Sequence, residues 1–189
     1  FDGNGDYQSG SILEYVTIQY GGSSLAQIIT DEASPFINNA TIQHSGNRSI
    51  QAKPDGLFKV INSTINNNQK SFRCEPNSVD ECYIYNNSFT NNSEVGFYAW
   101  GGDPGNTTIA SNTFSGNGEH AIRIGTTGTT LISNNTIPDN GDIGIYTTIG
   151  NLTGSLTITG NTISHNDEGG ILMQPTGGSG SVSITNNII

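Results

Sequence analysis

The chain has 189 residues, of which 32% are hydrophobic and 12% charged, and its formal net charge is -10. Sixteen acidic residues against six basic ones, with no basic run, set aside nucleic acid and anionic membranes as partners. No apolar run approaches the ~20 residues of a membrane span, so no direct membrane insertion is expected.

Residues 1–10 form a lead-in. Their DGNGD stretch places Asp2, Asn4 and Asp6 at the spacing that opens a calcium loop. The sixth and twelfth positions of such a loop, which need Gly and an acid, are Tyr7 and Leu13, so a turn is expected instead. Neither an initiating Met nor a signal peptide is present, which suits a mature secreted piece or an excised segment.

Residues 11–189 are organised by a repeat. Asn, a small hydroxyl residue, Ile or Phe, two variable residues and Asn recur in NNSFTNN, SNTFSGN, NNTIPDN and GNTISHN. The apolar anchors are Ile18, Ile42, Ile65, Phe89, Phe114, Ile137, Ile163 and Ile189, spaced by 23 to 26 residues. Five residues before each anchor an aliphatic side chain recurs, from Leu13 to Ile184. Eight residues after it stand Ala26, Ile50, Arg73, Phe97, Ile122, Ile145 and Ile171, apolar except in the third repeat. Polar and apolar residues alternate within each segment, the period of a strand with one buried face. Strands that recur with one apolar face bury it only against the next repeat. The expected fold is therefore all-β: a parallel β-solenoid of about eight coils, each of ~24 residues and three short strands.

Two asparagine columns mark the bends. Asn87, Asn112, Asn135, Asn161 and Asn187 precede the anchors by two residues, and Asn68, Asn92, Asn117, Asn140 and Asn166 follow them by three. Stacked Asn side chains pass amide hydrogen bonds from rung to rung, so these are read as asparagine ladders rather than catalytic groups. Cys74 and Cys82 flank EPNSVDE; in an acidic, turn-rich chain a disulfide is favoured over two free thiols.

The NxIxxNxxxGI repeats resemble the right-handed parallel β-helices of the pectate-lyase-like superfamily. SILEYVTIQYGG followed by SPFINNATIQHSG is similar to bacterial secreted and surface-attached members. The resemblance implies an extracellular or cell-surface location. It leaves function open, because such folds include lyases, epimerases, glycosidases and non-catalytic surface domains. The N-terminal capping helix usual in that group is not readable before Ser11, and SVSITNNII stops within a coil. Flanking domains of the same chain, or end-to-end stacking of copies, are therefore expected.

Outward neighbours of the buried columns form the candidate ligand face. Tyr98, Arg123 and Tyr146 fall in one outward column with Gln27, Gln51, Cys74 and Leu172, and Trp100 lies two residues further along the same exposed face. Exposed aromatics beside an Arg suit sugar rings and their carboxylates, so a polysaccharide or glycan is the expected partner, with Glu119 at its margin. Glu94, Glu119, Asp142 and Glu168 form an acidic column, read as solvated turn tips or, as the resemblance implies, oxygen ligands for Ca²⁺. Were the segment an enzyme acting on uronates, His120, Arg123, Asp142 and Tyr146 would supply the proton transfers and the electrophile. His120 precedes an inward Ala-Ile pair, which places it in a turn facing away from Arg123, and the connections are too short for a deep groove. The reading is thus a non-catalytic recognition module with carbohydrate contact. A calcium-assisted lyase or epimerase and a structural adhesin or surface-layer segment are the alternatives.

Overall fold

The computed structural model describes residues 7–77, 80–101, 105–125, 127–148, 152–174 and 177–189. The Asp2, Asn4 and Asp6 stretch lies outside the described residues. Twenty-two strands, without a helix among the described residues, form three parallel sheets of eight, seven and seven strands.

Sheet A runs from Ile12–Glu14 through Leu57–Ile61 and Glu81–Tyr85 to Ser181–Thr185. Sheet B contains only three-residue strands, from Thr17–Gln19 to Thr162–Ser164. Sheet C comprises Ala26–Asp31, Arg48–Lys53, Lys70–Cys74, Phe97–Trp100, Ile122–Gly125, Ile143–Thr147 and Gly169–Met173. Each strand pairs with its equivalent one coil away, as in Ile84 with Ile109 and Phe89 with Phe114. The coil is a closed circuit A, B, C, and the side chains enclosed by it make the core.

Both ends of every sheet B strand are made by one left-handed residue. Tyr15, Asn39, Asn62, Asn86, Ser111, Asn134 and Gly160 on one side, and Tyr20, His44, Asn67, Asn91, Gly116, Asp139 and His165 on the other, have φ between 50° and 67°. Asn and Asp tolerate that region because a short polar side chain bonds locally. A single left-handed residue turns the chain by a corner without lengthening it, which is why the sequence period is so even.

The core between the sheets is aliphatic and aromatic. Ile37, Ile42, Ile50, Ile84, Ile109 and Ile132 are fully buried. Phe89 stacks on Phe114 at 4.7 Å, and Phe72 meets Phe97 edge-on at 5.2 Å. Among them run the two amide ladders. Asn112 Nδ2 donates to Asn135 Oδ1 at 3.0 Å and to the Ile84 carbonyl at 3.0 Å, while its Oδ1 accepts from the Asn87 backbone N–H at 2.8 Å. Asn117 repeats the arrangement with Asn140, Phe89 and Asn92. Where the first ladder lacks an Asn, Ser63 extends it by accepting from the Ala40 N–H at 3.1 Å.

Two columns require correction. Phe72 pairs in register with Ile50 and Phe97, so Phe72 is the inward residue of the third coil and Arg73 points outward. In the first coil Ile28, not Ala26, pairs with Ile50, and Ile29 takes the outward place assigned to Gln27. The corner between the Asn column and sheet C is one residue shorter in the third coil and two longer in the first, so a constant offset slips. Cys74 is accordingly buried, not outward, and forms a disulfide with Cys82 that ties the end of a sheet C strand to sheet A.

Asn112→Ala is expected to lower stability by about 3 kcal/mol, because it orphans several buried donors and acceptors. Thr113→Ala, whose side chain is outward, is expected to stay within about 0.5 kcal/mol. Thermal unfolding followed by circular dichroism of the two variants checks the contrast.

Candidate functional site

The outer face of sheet C is organised by one straight column. Gln51, Arg73, Tyr98, Arg123, Tyr146 and Leu172 occupy equivalent positions on successive strands. Neighbouring strands lie about 4.8 Å apart, so adjacent members of the column touch. The Arg73 guanidinium lies 5.9 Å from the Tyr98 ring, and Arg123 lies 4.9 Å from Tyr98 and 5.5 Å from Tyr146. Cations and aromatic rings thus alternate, each Arg lying over the ring of an adjacent rung.

Trp100 stands two residues along the strand from Tyr98, at 5.3 Å between ring centroids, with 42% of its surface exposed. Arg73 also reaches the Trp100 ring at 5.6 Å, and its Nε pairs with Glu75 at 3.0 Å. Burial raises the Tyr98 phenol above its ordinary pKa, opposed by the charges of Arg123, Arg73 and Arg48. The phenol stays neutral, a platform and hydrogen-bond donor rather than an anion.

Charge is sorted in a way the linear sequence hides. Arg48, Lys53, Lys70, Arg73 and Arg123, five of the chain's six basic residues, sit on strands of sheet C. Residues scattered along the sequence are thus brought together by the coil period, where Lys53, Lys70 and Arg73 pair with Asp31, Glu94 and Glu75. Arg48, Lys70, Phe72, Glu94, Val95, Tyr98, Glu119 and Arg123 line a crevice of about 120 Å³. Burial, and then repulsion from Arg73, holds the Arg48 guanidinium below its usual range. Sequence reasoning missed Arg48, Lys70 and Arg73. Shifting the third coil by one residue would have revealed Arg73, because Phe72 then restores the apolar column.

The acidic column forms the margin of this face. Glu94 pairs with Lys70 at 3.6 Å. Glu119 is pushed above the usual carboxylate range by burial and then by Glu94 and Asp142, with Arg123 and Lys70 opposing. Glu168 sits on the rung beyond Asp142, its backbone N–H donating to the Asp142 carbonyl. Among the described residues no three His, Cys, Asp or Glu side chains converge to hold a metal ion.

His120 does not turn away from the face. Its Nδ1 lies 3.1 Å from Asp142 Oδ2, and its ring lies 4.5 Å from Tyr146, the same ring that Arg123 covers. The fold thus brings His120, Arg123, Asp142 and Tyr146 together, while Tyr98 and Trp100 lie one rung below. The Ile143 N–H also approaches Nδ1, at 3.4 Å. The carboxylate contact is shorter and assigns the imidazole proton to Nδ1, leaving Nε2 as an acceptor. Tyr146 Oη donates to Gln174 Oε1 at 2.9 Å, so its proton is directed along the face. Burial lowers the His120 pKa, Asp142 raises it, and Arg123 lowers it further.

A family model described as the right handed beta helix region matches residues 3–108 and 50–189. The chain belongs to the right-handed β-helix family. A crystal structure of the periplasmic alginate epimerase AlgG shares the β-helix fold, with a TM-score of 0.67 at 14% identity over 87% of this chain. The match covers 48% of the epimerase, so this β-helix spans about half its length. No curated protein sequence matches the chain.

With its folded pKa depressed, His120 adds stability that is fully present above its unfolded value and is lost as pH falls through the folded one. Nuclear magnetic resonance titration of the His120 ring is expected to give a pKa below the ordinary imidazole value of about 6.5. Asp142→Asn is expected to lower it further, since the carboxylate is the group that raises it.

Proposed function

We propose that the outer face of sheet C binds an acidic polysaccharide lying along the solenoid axis, and that the segment is a rigid recognition module. The observation that carries this reading is the Arg73–Tyr98–Arg123–Tyr146 column on a chain whose net charge is -10. Arg48 is disfavoured first by burial and then by Arg73, and a bound anion would offset the second of these. The rings between the cations, with the exposed Trp100 beside them, supply apolar surface against which sugar rings pack. Binding at this open face requires no lid and no movement of the core. The Cys74–Cys82 disulfide supports an oxidising location outside the cytoplasm.

A second reading rests on the His120–Asp142 pair. An imidazole oriented by a carboxylate, with Nε2 free and an Arg on the neighbouring ring, has the parts needed to remove the proton beside a uronate carboxylate. The acid that completes a lyase or epimerase cycle is not equally defined, because Tyr146 already donates to Gln174. The recognition reading is therefore preferred.

Tyr98→Ala combined with Arg123→Ala is expected to weaken retention on immobilised acidic polysaccharide at least about tenfold, since one stacking platform and one charge are lost. Thr157→Ala, outward on sheet A, should leave retention unchanged. Incubation with polygalacturonate and polymannuronate, followed by ultraviolet absorbance and by proton resonance of the sugars, is expected to show neither unsaturated product nor epimerised residues. Turnover that disappears in His120→Ala would instead establish the enzymatic reading.

A further inference from the structure

The sheet C column has a period as well as a composition. Arg73 and Arg123 stand two strands apart with Tyr98 between them, and Tyr146 follows on the next strand. At a strand spacing of about 4.8 Å, the two arginines stand ~9.6 Å apart with one aromatic rung between them and another beyond. One sugar of an extended glycan advances the chain by about one strand spacing. A polymer lying along the solenoid axis therefore meets a cation at every second sugar and a ring at each sugar between.

We infer that this face selects acidic glycans that carry one anionic group per disaccharide over those charged on every sugar. The inference rests on the acidic-polysaccharide reading above and gives that reading a ligand class. In a polymer charged on every sugar, alternate anions have two places to go. They fall at the Tyr98 and Tyr146 rungs, which add no cation of their own and whose rings are already covered by Arg73 and Arg123, or they turn towards Glu94, Glu119 and Asp142 at the margin. That margin is already crowded with negative charge, and Glu119 is held above the usual carboxylate range in part by Glu94 and Asp142. A neutral sugar placed on a tyrosine loses nothing. The two arginines are also fixed in place, Arg73 by Glu75 at 3.0 Å and Arg123 by lying against two rings. Their spacing is thus a property of the coil and not of flexible side chains.

The discriminating experiment compares oligosaccharides of matched length by calorimetry with the intact chain. Hyaluronan carries one carboxylate per disaccharide and κ-carrageenan one sulfate, whereas polygalacturonate and polymannuronate carry one carboxylate per sugar. Tighter binding of hyaluronan or κ-carrageenan by at least about tenfold supports the inference, and whichever of the two binds identifies the anion. Tyr98→Arg, which fills the gap with a third cation, is expected to move the preference at least about tenfold towards the homopolymers; circular dichroism confirms that the variant is folded. Equal or tighter homopolymer binding by the unmodified chain overturns the charge-period inference and leaves the acidic-polysaccharide reading standing. An unchanged preference in folded Tyr98→Arg overturns it likewise. Failure to bind any of the four polymers overturns both.

Discussion

The architecture depends on the need of a buried amide for partners. An Asn side chain inside the coil has two N–H donors and a carbonyl to satisfy, and leaving any of them unpaired in an apolar core costs about 1–3 kcal/mol. Here the partners come from the coils above and below, as when Asn140 donates to Asn166 Oδ1 and to the Phe114 carbonyl. A ladder of this kind is satisfied in one register only. Insertion of a residue within the sheet B segment would separate the two ladders and break both, so length variation is confined to the remaining corners.

Rigidity in one region leaves composition free elsewhere. The outward residues of the sheet B strands, Thr17 and Gln19 through Thr162 and Ser164, include no charge, whereas sheet C collects most of the basic residues. A solenoid can sort side chains in this way because alternate residues of each strand contribute only to the core and the others only to one face. The binding face is therefore written in residues whose replacement leaves the hydrophobic interior untouched.

The fold was legible because its determinants are periodic and local. Anchors from Ile18 to Ile163, the Asn columns and the aliphatic column from Leu13 to Ile184 all lie within a few residues of one another, and the structure pairs them as the spacing implied. The face was legible only in part. Tyr98, Arg123 and Tyr146 were placed correctly because the corner before each has the same length. Arg73 was lost inward because its corner is one residue shorter, a backbone detail that a fixed offset does not carry. His120 was misdirected for a related reason: its orientation is set by Asp142 on the next coil, a partner that the local Ala-Ile context does not announce.

Because successive coils meet through the same backbone and amide bonds, one whole coil is an exchangeable unit. Removal or duplication of a coil leaves the remaining ladders satisfied while moving every later side chain by a single step along the axis. The outer face of such a protein is thus edited in discrete frames, much as a reading frame is shifted. Duplication of one coil would change which side chains fall in phase across the face without altering any single residue.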